Sequence, residues 1–329
     1  MTFSATQGAL HIRVPASTSN LGPGYDVLGC AFQLHNEFLV RLLEGEGDSE
    51  IAFTGPQAKG LTPSPDNVFF TSAARLFQFL GRPVPRLEVT AVCHVPNARG
   101  LGSSSTAVVA GLLAADAICG GMLEDGGQSF FAAAPVGVSG LLDLASQIEG
   151  HPDNVAPALL GGLTCAMMAP DGHVVASRSR PHPALGFVVY SPDYEVRTED
   201  ARNALPKTIA HSDAVANLAR LPLLIDALTR GDASELALLT IDRLHEPYRK
   251  PLYRQFEELK AVAREAGAAA ACLSGAGPSM LAIGVVEDLP RVAQAWKKAA
   301  EDFGLGGEVR VLEVEYEGAS VQSYESAPS

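Results

Sequence analysis

The stretch from Val95 to Asp116 carries the densest set of residues that could bind an anion. It reads VPNARGLGSSSTAVVAGLLAAD, so a strand pattern passes through glycine and serine into a helix of small side chains. A glycine-rich turn before a helix exposes backbone N–H groups at the positive end of the helix dipole, where phosphate binds well. The hydroxyls that follow could donate to phosphate oxygens or coordinate Mg²⁺. The alternative is a serine-capped helix after a flexible loop, and this stretch alone leaves both interpretations open.

The glycine loop differs from two common nucleotide-binding loops. The chain has no G-K-[ST] sequence, so a Walker A loop is excluded. GLGSSS also lacks the third glycine of the dinucleotide-binding fingerprint. Any phosphate bound by this loop is therefore held by neither of these two loop types.

Length and composition indicate a globular protein of two domains. The chain has 329 residues, 47% of them hydrophobic and 19% charged, which is ordinary for a soluble fold. The formal net charge of −13 argues against a nucleic-acid partner, because such proteins need a basic surface. The five cysteines form no C-x-x-C pair, which excludes a zinc ribbon and a dithiol redox motif.

The ends and the apolar stretches predict a cytoplasmic protein without a membrane partner. MTFSATQGALHIRV lacks the basic segment and apolar run of a leader peptide. Apolar stretches such as FFAAAPVGVSGLLDLA are interrupted by proline and glycine and are too short for a membrane span. An odd, scattered set of cysteines fits a reducing compartment.

Strand and helix patterns alternate irregularly, which favours an α+β fold over a doubly wound sheet. Residues 86–95 alternate as a half-buried strand, and helical periodicity follows over 104–119. Further strands are predicted at 185–190, 269–273, 280–285 and 308–316, and helices at 213–228, 233–241, 252–266 and 289–300. The turn-rich segment 168–183 indicates either a domain boundary or a hairpin inside one domain.

Two further glycine-rich motifs accompany the loop. They are VPASTSNLGPGYDVLGCAF near the start and LSGAGPSMLAI near the end. With the middle loop they resemble the three-motif pattern of the GHMP kinases, and EGHPDNVAPALLGGL, Glu149 to Leu163, resembles the homoserine kinases among them. The resemblance extends from Val14 to about Ile283, and four motifs in the same order make it specific.

The resemblance implies a two-domain α+β fold and a kinase activity. Residues 1–170 are expected to form an ATP-binding, ribosomal-S5-like domain, and residues 171–329 a ferredoxin-like domain, in a homodimer. The implied reaction is ATP- and Mg²⁺-dependent phosphorylation of the L-homoserine hydroxyl to O-phospho-L-homoserine, in threonine biosynthesis. The alternatives are a related kinase for mevalonate or shikimate and a nucleotide-binding regulator without catalysis.

The resemblance assigns the middle loop to the phosphates of ATP. The residues concerned are Pro96, Asn97, Arg99, Gly100, Leu101, Gly102, Ser103, Ser104, Ser105 and Thr106. Ser104 and Glu149 are expected to hold Mg²⁺, which prefers hard oxygen ligands. Arg99 could add positive charge, although loop arginines are more often solvated. Asn67 could reach adenine, with turn formation as the alternative.

The resemblance also assigns a site for an amino-acid substrate. The expected residues are Asn20, Asp26, Thr198, Arg202, Arg249, Gly275 and Gly277. Arg202 and Arg249 match positions that clamp the α-carboxylate, for which a planar donor fork is suited. Asp26 is expected to bind the ammonium group with Asn20 in support. The SGAGPS loop is expected to line the cleft, and a plain hairpin turn is the alternative.

His151, Asp153 and Asn154 follow the metal-binding carboxylate and are the expected catalytic residues. Asp153 suits a general base, but the homoserine kinases that the chain resembles have no clear base. We therefore expect direct attack by the hydroxyl, with Asn154 and His151 orienting its oxygen and the proton passing late to phosphate. HPDN is also a good turn sequence.

The chain departs from the family pattern in two places. Ser105 and Thr106 replace two alanines after GLGSS, and both are small enough to keep the phosphate role. Tyr25 stands where phenylalanine is common, an exchange that we expect to be close to neutral.

Overall fold

The computed structural model describes residues 9–121 and 136–324, and a seven-stranded sheet forms its first layer. The strands follow the order β11-β1-β2-β4-β3, with β5 paired to β2 and β6 to β5. They are β1 (Ala9–Asn20), β2 (Gly24–Leu43), β3 (Glu50–Thr54), β4 (Arg86–Val92), β5 (Leu163–Met168), β6 (Val174–Ser179) and β11 (Ser320–Tyr324). The β3–β4 pair is parallel, and the other pairs are antiparallel.

Four helices pack with this sheet around one apolar core. They are α1 (Val68–Phe79), α2 (Ser103–Asp116), α3 (Gly137–Glu149) and α4 (Val155–Leu160). The predicted strand face of Leu87, Val89 and Ala91 is buried in this core, although the strand ends at Val92 rather than at residue 95. Its residues alternate in burial because successive strand side chains point to opposite faces.

Helix α2 approaches its neighbours closely because its side chains are small. A Cβ added at Gly111 would lie 2.2 Å from the carbonyl oxygen of Phe69 in α1. The stretch Ser103–Gly120 is long and apolar enough to cross a membrane, but 67% of it is buried inside the protein. Such burial is typical of a core helix in a soluble protein.

A four-stranded antiparallel sheet of order β10-β7-β9-β8 forms the second layer. Its strands are β7 (Leu185–Ser191), β8 (Ala270–Leu273), β9 (Met280–Val285) and β10 (Glu308–Leu312). The accompanying helices are α5 (Thr198–Asn203), α6 (His211–Arg230), α7 (Leu236–Leu239), α8 (Glu246–Arg249), α9 (Phe256–Glu265) and α10 (Leu289–Asp302). Trp296 of α10 is fully buried against this sheet.

The α+β class is confirmed, and most predicted elements lie at their expected places. Besides β4, three elements are clearly shorter than predicted. The helix predicted at 233–241 spans Leu236–Leu239, and the one predicted at 252–266 starts at Phe256 after a 3₁₀ turn that contains Pro251. The strand predicted at 308–316 ends at Leu312.

The segment 168–183 forms a hairpin rather than a linker. Residues of β5 pair with β6 in the first sheet, from Leu163 with Ser179 to Met168 with Val174. Strand β11 also returns to the first sheet, beside β1. The chain therefore passes from the first sheet to the second near residue 180 and returns to the first sheet before Ser320. The domain division between residues 170 and 171 remains a prediction.

Candidate active site

The glycine loop turns into α2 without a side-chain cap. Gly102 is the N-cap residue with a φ of 68°, and no side-chain hydrogen bond closes the helix start. The first N–H groups of a helix have no partner within the helix. This end of α2 therefore offers backbone donors and the positive end of the helix dipole to an anion.

The three glycine motifs contact one another through hydrogen bonds to backbone carbonyl groups. Ser17 N–H donates to the Leu101 carbonyl at 3.1 Å, and the Ser274 hydroxyl donates to the Gly100 carbonyl at 2.6 Å. A Cβ at Gly100, where φ is 71°, would lie 2.1 Å from the Ser274 carbonyl oxygen. Glycine at this position is therefore required both by conformation and by space.

A cavity of about 240 Å³ lies where these motifs meet. It brings together residues from distant parts of the sequence. The predicted site residues that line it are Asn97, Arg99, Gly100, Gly102, Ser103, Ser104, Ser105, Glu149, His151, Asp153, Asn154, Thr198, Arg202, Arg249, Gly275 and Gly277. The cavity volume suits a small substrate or part of a larger one.

Ser104 and Glu149 lie side by side on the cavity wall. The Ser104 hydroxyl donates to Glu149 Oε1 at 2.9 Å, joining the start of α2 to the end of α3. Both oxygens are hard ligands, and they are adjacent to the free backbone donors of α2. This pair therefore fits the donor set that Mg²⁺ prefers.

A hydrogen-bonded group of His151, Asp153 and Asn154 follows the end of α3. His151 Nδ1 and Asp153 Oδ1 are 2.5 Å apart, and Asp153 is only 1% exposed. Burial lowers the pKa of His151, but the hydrogen bond and charge of Asp153 outweigh it and raise the pKa overall. The Asn154 amide donates to Ser19 Oγ at 2.9 Å and accepts from Ser17 Oγ at 3.1 Å. These contacts hold the three side chains in fixed orientations.

Asp26 and Arg202 form a two-point ion pair. Arg202 Nη2 donates to Asp26 Oδ1 at 2.8 Å, and Nη1 donates to Oδ2 at 3.0 Å. Burial lowers the pKa of the Arg202 guanidinium, while the hydrogen bond and charge of Asp26 raise it more strongly. A carboxylate and a guanidinium group thus lie next to each other. These are the two charges that would complement the ammonium and carboxylate groups of a zwitterion.

Arg249 is a buried arginine whose side chain reaches the cavity. It is 2% exposed, and its Nε donates to the Ala201 carbonyl at 3.0 Å. Its guanidinium lies over the ring of Tyr25, 5.1 Å from the centroid. His245 stacks on Tyr25, and its Nε2 donates to the Gly22 carbonyl at 2.8 Å. The carbonyl acceptor fixes the tautomer of His245.

Asp242 holds the short helix that carries Arg249 in place. Its carboxylate accepts hydrogen bonds from the Asn217 amide and from the backbone N–H groups of Leu244, His245 and Glu246, at 2.7–3.0 Å. It therefore fixes the start of α8, the helix that ends at Arg249.

Several predicted residues have other roles in the structure. Thr106 is buried and its hydroxyl donates to the Ser103 carbonyl at 2.7 Å, which leaves no donor for phosphate. Asn67 caps α1 by accepting from Phe69 N–H, so the turn alternative describes it. Asn20 donates to the Gly275 carbonyl and accepts from Asp26 N–H, which is a supporting role.

Three residues of the predicted phosphate loop differ from the others in their exposure to the cavity or in their hydrogen bonds. Pro96 and Leu101 are buried and do not line the cavity, and Pro96 has no N–H to offer. Arg99 lines the cavity, but its Nη2 donates to the Asp193 carbonyl at 3.0 Å across the cleft.

Sequence reasoning missed four residues of the cavity wall and the support behind it. Ser19, Ala98, Val196 and Ala276 line the cavity. Ser19 lies in the quoted first motif, so its position beside Asn20 was an available signal. His245 belongs to no sequence motif. The exchange of phenylalanine for Tyr25 was expected to have little effect, yet the Tyr25 hydroxyl accepts a hydrogen bond from Arg202 at 2.9 Å.

Comparison with known proteins gives a consistent picture. The family of GHMP kinases matches twice, with its N terminal domain at residues 67–162 and its C terminal domain at residues 224–304. A homoserine kinase of Synechococcus sp. (strain CC9605) is 40% identical over 315 residues, covering 95% of this chain and 96% of that protein. A homoserine kinase of Picosynechococcus sp. is 36% identical over 317 residues, covering 95% and 99%.

A solved structure of a homoserine kinase has the same fold as this chain over nearly its whole length. The crystal structure of homoserine kinase from Cytophaga hutchinsonii superposes with a TM-score of 0.83 at 30% identity, covering 98% of this chain and 100% of that one. The two sheets described above thus form the two-domain GHMP kinase fold that the sequence predicted. The chain belongs to the GHMP kinases and, within them, to the homoserine kinase family.

Proposed function

We propose that this protein is a homoserine kinase that transfers the γ-phosphoryl group of ATP to the side-chain hydroxyl of L-homoserine. The product is O-phospho-L-homoserine, an intermediate of threonine biosynthesis. One observation carries the proposal: the start of α2, where backbone N–H groups have no partner within the helix, and two arginines, Arg202 and Arg249, line the same cavity. The names of the relatives support the choice of homoserine.

The substrate is proposed to bind through its two charged ends. Arg202 and Arg249 hold the α-carboxylate, because guanidinium groups match the geometry of a carboxylate. Asp26 attracts the ammonium group, and Thr198 and the SGAGPS loop close the same side of the cavity. Asp26 and Arg202 are already paired before substrate arrives, so binding adds the ammonium group to Asp26 and the carboxylate to Arg202 beside the existing ion pair.

Asn154 and His151 are proposed to orient the attacking hydroxyl toward the γ-phosphate. Asp153 is buried and already bonded to His151, so it serves to hold that ring rather than to remove a proton. The hydroxyl oxygen then attacks the γ-phosphorus directly, the bond to the β-phosphate oxygen breaks so that ADP leaves, and the hydroxyl proton passes late to the transferred phosphoryl oxygens. Positioning and charge stabilisation supply most of the rate in such phosphoryl transfers.

Ser104 and Glu149 are proposed to hold Mg²⁺. When bound, the ion would neutralise charge on the β- and γ-phosphates. The backbone donors of the glycine loop, from Asn97 to Ser105, are proposed to bind the phosphates beside it. The direct hydrogen bond between Ser104 and Glu149 supports this assignment, since it places two hard oxygen ligands together.

ADP release by the purified protein, with ATP and Mg²⁺, tests the function directly. L-Homoserine, mevalonate, shikimate and L-threonine are offered separately, and we expect selective turnover of L-homoserine. Glu149→Gln should lower kcat about 100-fold or more, as does the loss of a charge that stabilises a phosphoryl transfer. Turnover of an amine-free alcohol alone would reassign the chain to a related kinase. ATP binding without any turnover would indicate a regulator.

We further propose a cytoplasmic homodimer that binds neither nucleic acid nor membranes. The resemblance to homoserine kinases supports the dimer, and the net charge of −13 supports the absence of a nucleic-acid partner. Light scattering coupled to gel filtration measures the mass directly. A mass near twice 34.4 kDa is expected, and the monomer mass would contradict the dimer.

A further inference from the structure

Tyr25 lies directly behind the two arginines of the proposed substrate site. The Arg249 guanidinium carbon is 5.1 Å from the ring centroid, and that of Arg202 is 5.8 Å away. The ring also stacks on His245, with centroids 5.4 Å apart and an angle of 30° between the planes. Within the part of the chain that the structure describes, Tyr25 does not line the cavity. It therefore contacts the arginines and not the space that a ligand would occupy.

The N–H groups of Arg202 donate to two partners, Tyr25 and Asp26. Nη1 has two N–H groups; one donates to Tyr25 Oη at 2.9 Å and one to Asp26 Oδ2 at 3.0 Å. Nη2 donates to Asp26 Oδ1 at 2.8 Å with one of its two N–H groups. The other Nη2 N–H and the Nε N–H have no acceptor among residues 9–121 and 136–324. These two remaining groups lie along the same edge of the planar guanidinium.

A carboxylate binds an arginine best through two parallel N–H groups. The guanidinium has two edges of this kind, one between Nη1 and Nη2 and one between Nη2 and Nε. Asp26 occupies the first edge. The remaining Nη1 N–H points toward the side chain's own Cδ and has no parallel neighbour, so it cannot contribute to a two-point contact. Tyr25 accepts from this group.

We propose that Tyr25 is a positioning residue of the substrate site. Its hydroxyl fixes the plane of Arg202 by accepting the N–H that a carboxylate cannot share, and so presents the Nε and Nη2 edge to the α-carboxylate. Its ring supports Arg249 at the same time. This inference rests on the proposed function, because it names the group of homoserine that the fixed edge binds.

The environment of the hydroxyl agrees with this role. Burial, followed by the charge of Asp26, raises the pKa of Tyr25, and the charges of Arg202 and Arg249 oppose the increase without cancelling it. The side chain is therefore a neutral phenol at physiological pH. It can accept from Arg202 and direct its own proton toward the Asp26 carboxylate.

The test is Tyr25→Phe, which keeps the ring and removes the hydroxyl. The KM for L-homoserine should rise about 3- to 10-fold, the effect of one hydrogen bond. The values of kcat and of the KM for ATP should stay within about twofold, because the phosphate loop is untouched. Tyr316→Phe is the matched control, since Tyr316 has a stacked arginine and a bonded hydroxyl away from the cavity. The control should leave all three constants unchanged.

Two further measurements separate positioning from a purely structural role. The substrate without its carboxylate, 3-aminopropan-1-ol, should be turned over equally by the parent and by Tyr25→Phe. Adding Tyr25→Phe to Arg202→Ala should not raise the KM again, because the hydroxyl acts through Arg202. An unchanged KM for L-homoserine in Tyr25→Phe, or a full further increase on Arg202→Ala, would overturn the inference alone. No turnover of L-homoserine by the parent would instead overturn the proposed function and the inference together.

Discussion

The two halves of the cavity are built in different ways. The half proposed to bind phosphate, the phosphate half, uses the backbone of one continuous segment, the glycine loop from Asn97 to Ser105, at the start of α2. The half proposed to bind homoserine, the substrate half, uses Arg202 of α5 and Arg249 of α8, which line the cavity, and Asp26 of β2, which pairs with Arg202 without lining it. The first half depends on backbone conformation and the second on distant side chains that hold one another in place.

This difference determines what each half tolerates. A backbone site accepts many side chains but no added Cβ where the chain approaches a neighbour closely. A side-chain site tolerates local backbone change but depends on each buried polar partner, because an unpaired buried group is costly. Substitutions of opposite kinds should therefore damage the two halves separately.

Gly102→Ala should have the largest effect, and it should affect the phosphate half. The residue has a φ of 68°, and its added Cβ would lie 2.2 Å from Ser17 Oγ. Either the loop or the Ser17 hydroxyl, which donates to Asn154, must shift, so we expect kcat/KM for ATP to fall about 100-fold or more, as when a positioned backbone donor is lost. Steady-state kinetics at saturating L-homoserine measures this.

Gly81→Ala is the matched control for Gly102→Ala. Gly81 has a φ of 63°, but a Cβ there would meet nothing within 4 Å. Strain alone should cost about 1 kcal/mol of stability and leave kcat/KM unchanged. Equal losses of activity in both variants would show that the close approach at Gly102 is unimportant.

Asp242→Asn should destabilise the support of the substrate half. Its carboxylate accepts four hydrogen bonds, and an amide would direct N–H groups at N–H groups. The loss should be about 2 to 4 kcal/mol in the free energy of unfolding at pH 7. Urea unfolding followed by circular dichroism measures it.

The effect of Asp242→Asn should also depend on pH. Burial raises the pKa of Asp242, but the charge of His245 and the hydrogen bonds outweigh it and lower the pKa overall. A carboxylate with a lowered pKa stabilises the fold above its unfolded pKa of about 4, and this contribution is lost as pH falls below that value. The difference between parent and variant should therefore shrink below pH 4. A constant difference would contradict this account.

The sequence predicted the conformation of the glycine loop better than the surroundings of Asp26 and Arg202, for a physical reason. The glycine loop is contiguous, and its positive φ values at Gly100 and Gly102 are a local requirement that glycine reveals. The contact of His245 with Gly22 joins residues 223 positions apart, and no local pattern encodes it. The family resemblance identified Arg202 but could not show that Asp26 already occupies one of its edges.

The fold shows the same contrast. Periodicity predicted β4, α9 and α10, because each has one buried and one exposed face. It did not predict β1, in which Ser17, Thr18 and Ser19 are polar and yet almost fully buried. Their hydroxyls and backbone groups are satisfied by the other motifs, for example Thr18 by Ser274 at 2.9 Å. These polar side chains are buried because they bond the other motifs around the cavity, and no alternation of apolar residues in the sequence reveals it.

Arg249→Lys should have a smaller effect, confined to the substrate half. Lysine keeps the charge but loses the Nε contact to the Ala201 carbonyl and the planar group over Tyr25. We expect the KM for L-homoserine to rise about 10-fold with the KM for ATP unchanged. Arg254→Lys, an exposed arginine over Tyr194, is the matched control and should change neither constant. A rise in the KM for ATP would show that the two halves are coupled.

Asp116→Asn should have the smallest effect, because Asp116 lies in neither half. Burial raises its pKa to about 6, and among the described residues nothing hydrogen-bonds its Oδ1. A carboxyl with a raised pKa disfavours folding once it ionises, so its penalty appears between about pH 4 and pH 6 and persists above. The amide removes the charge, but one of its two polar atoms still lacks a partner among the described residues, so we expect a gain of about 1 kcal/mol at pH 8. Unfolding free energies of parent and variant should converge near pH 4, and unchanged turnover would show that this stability is independent of the site.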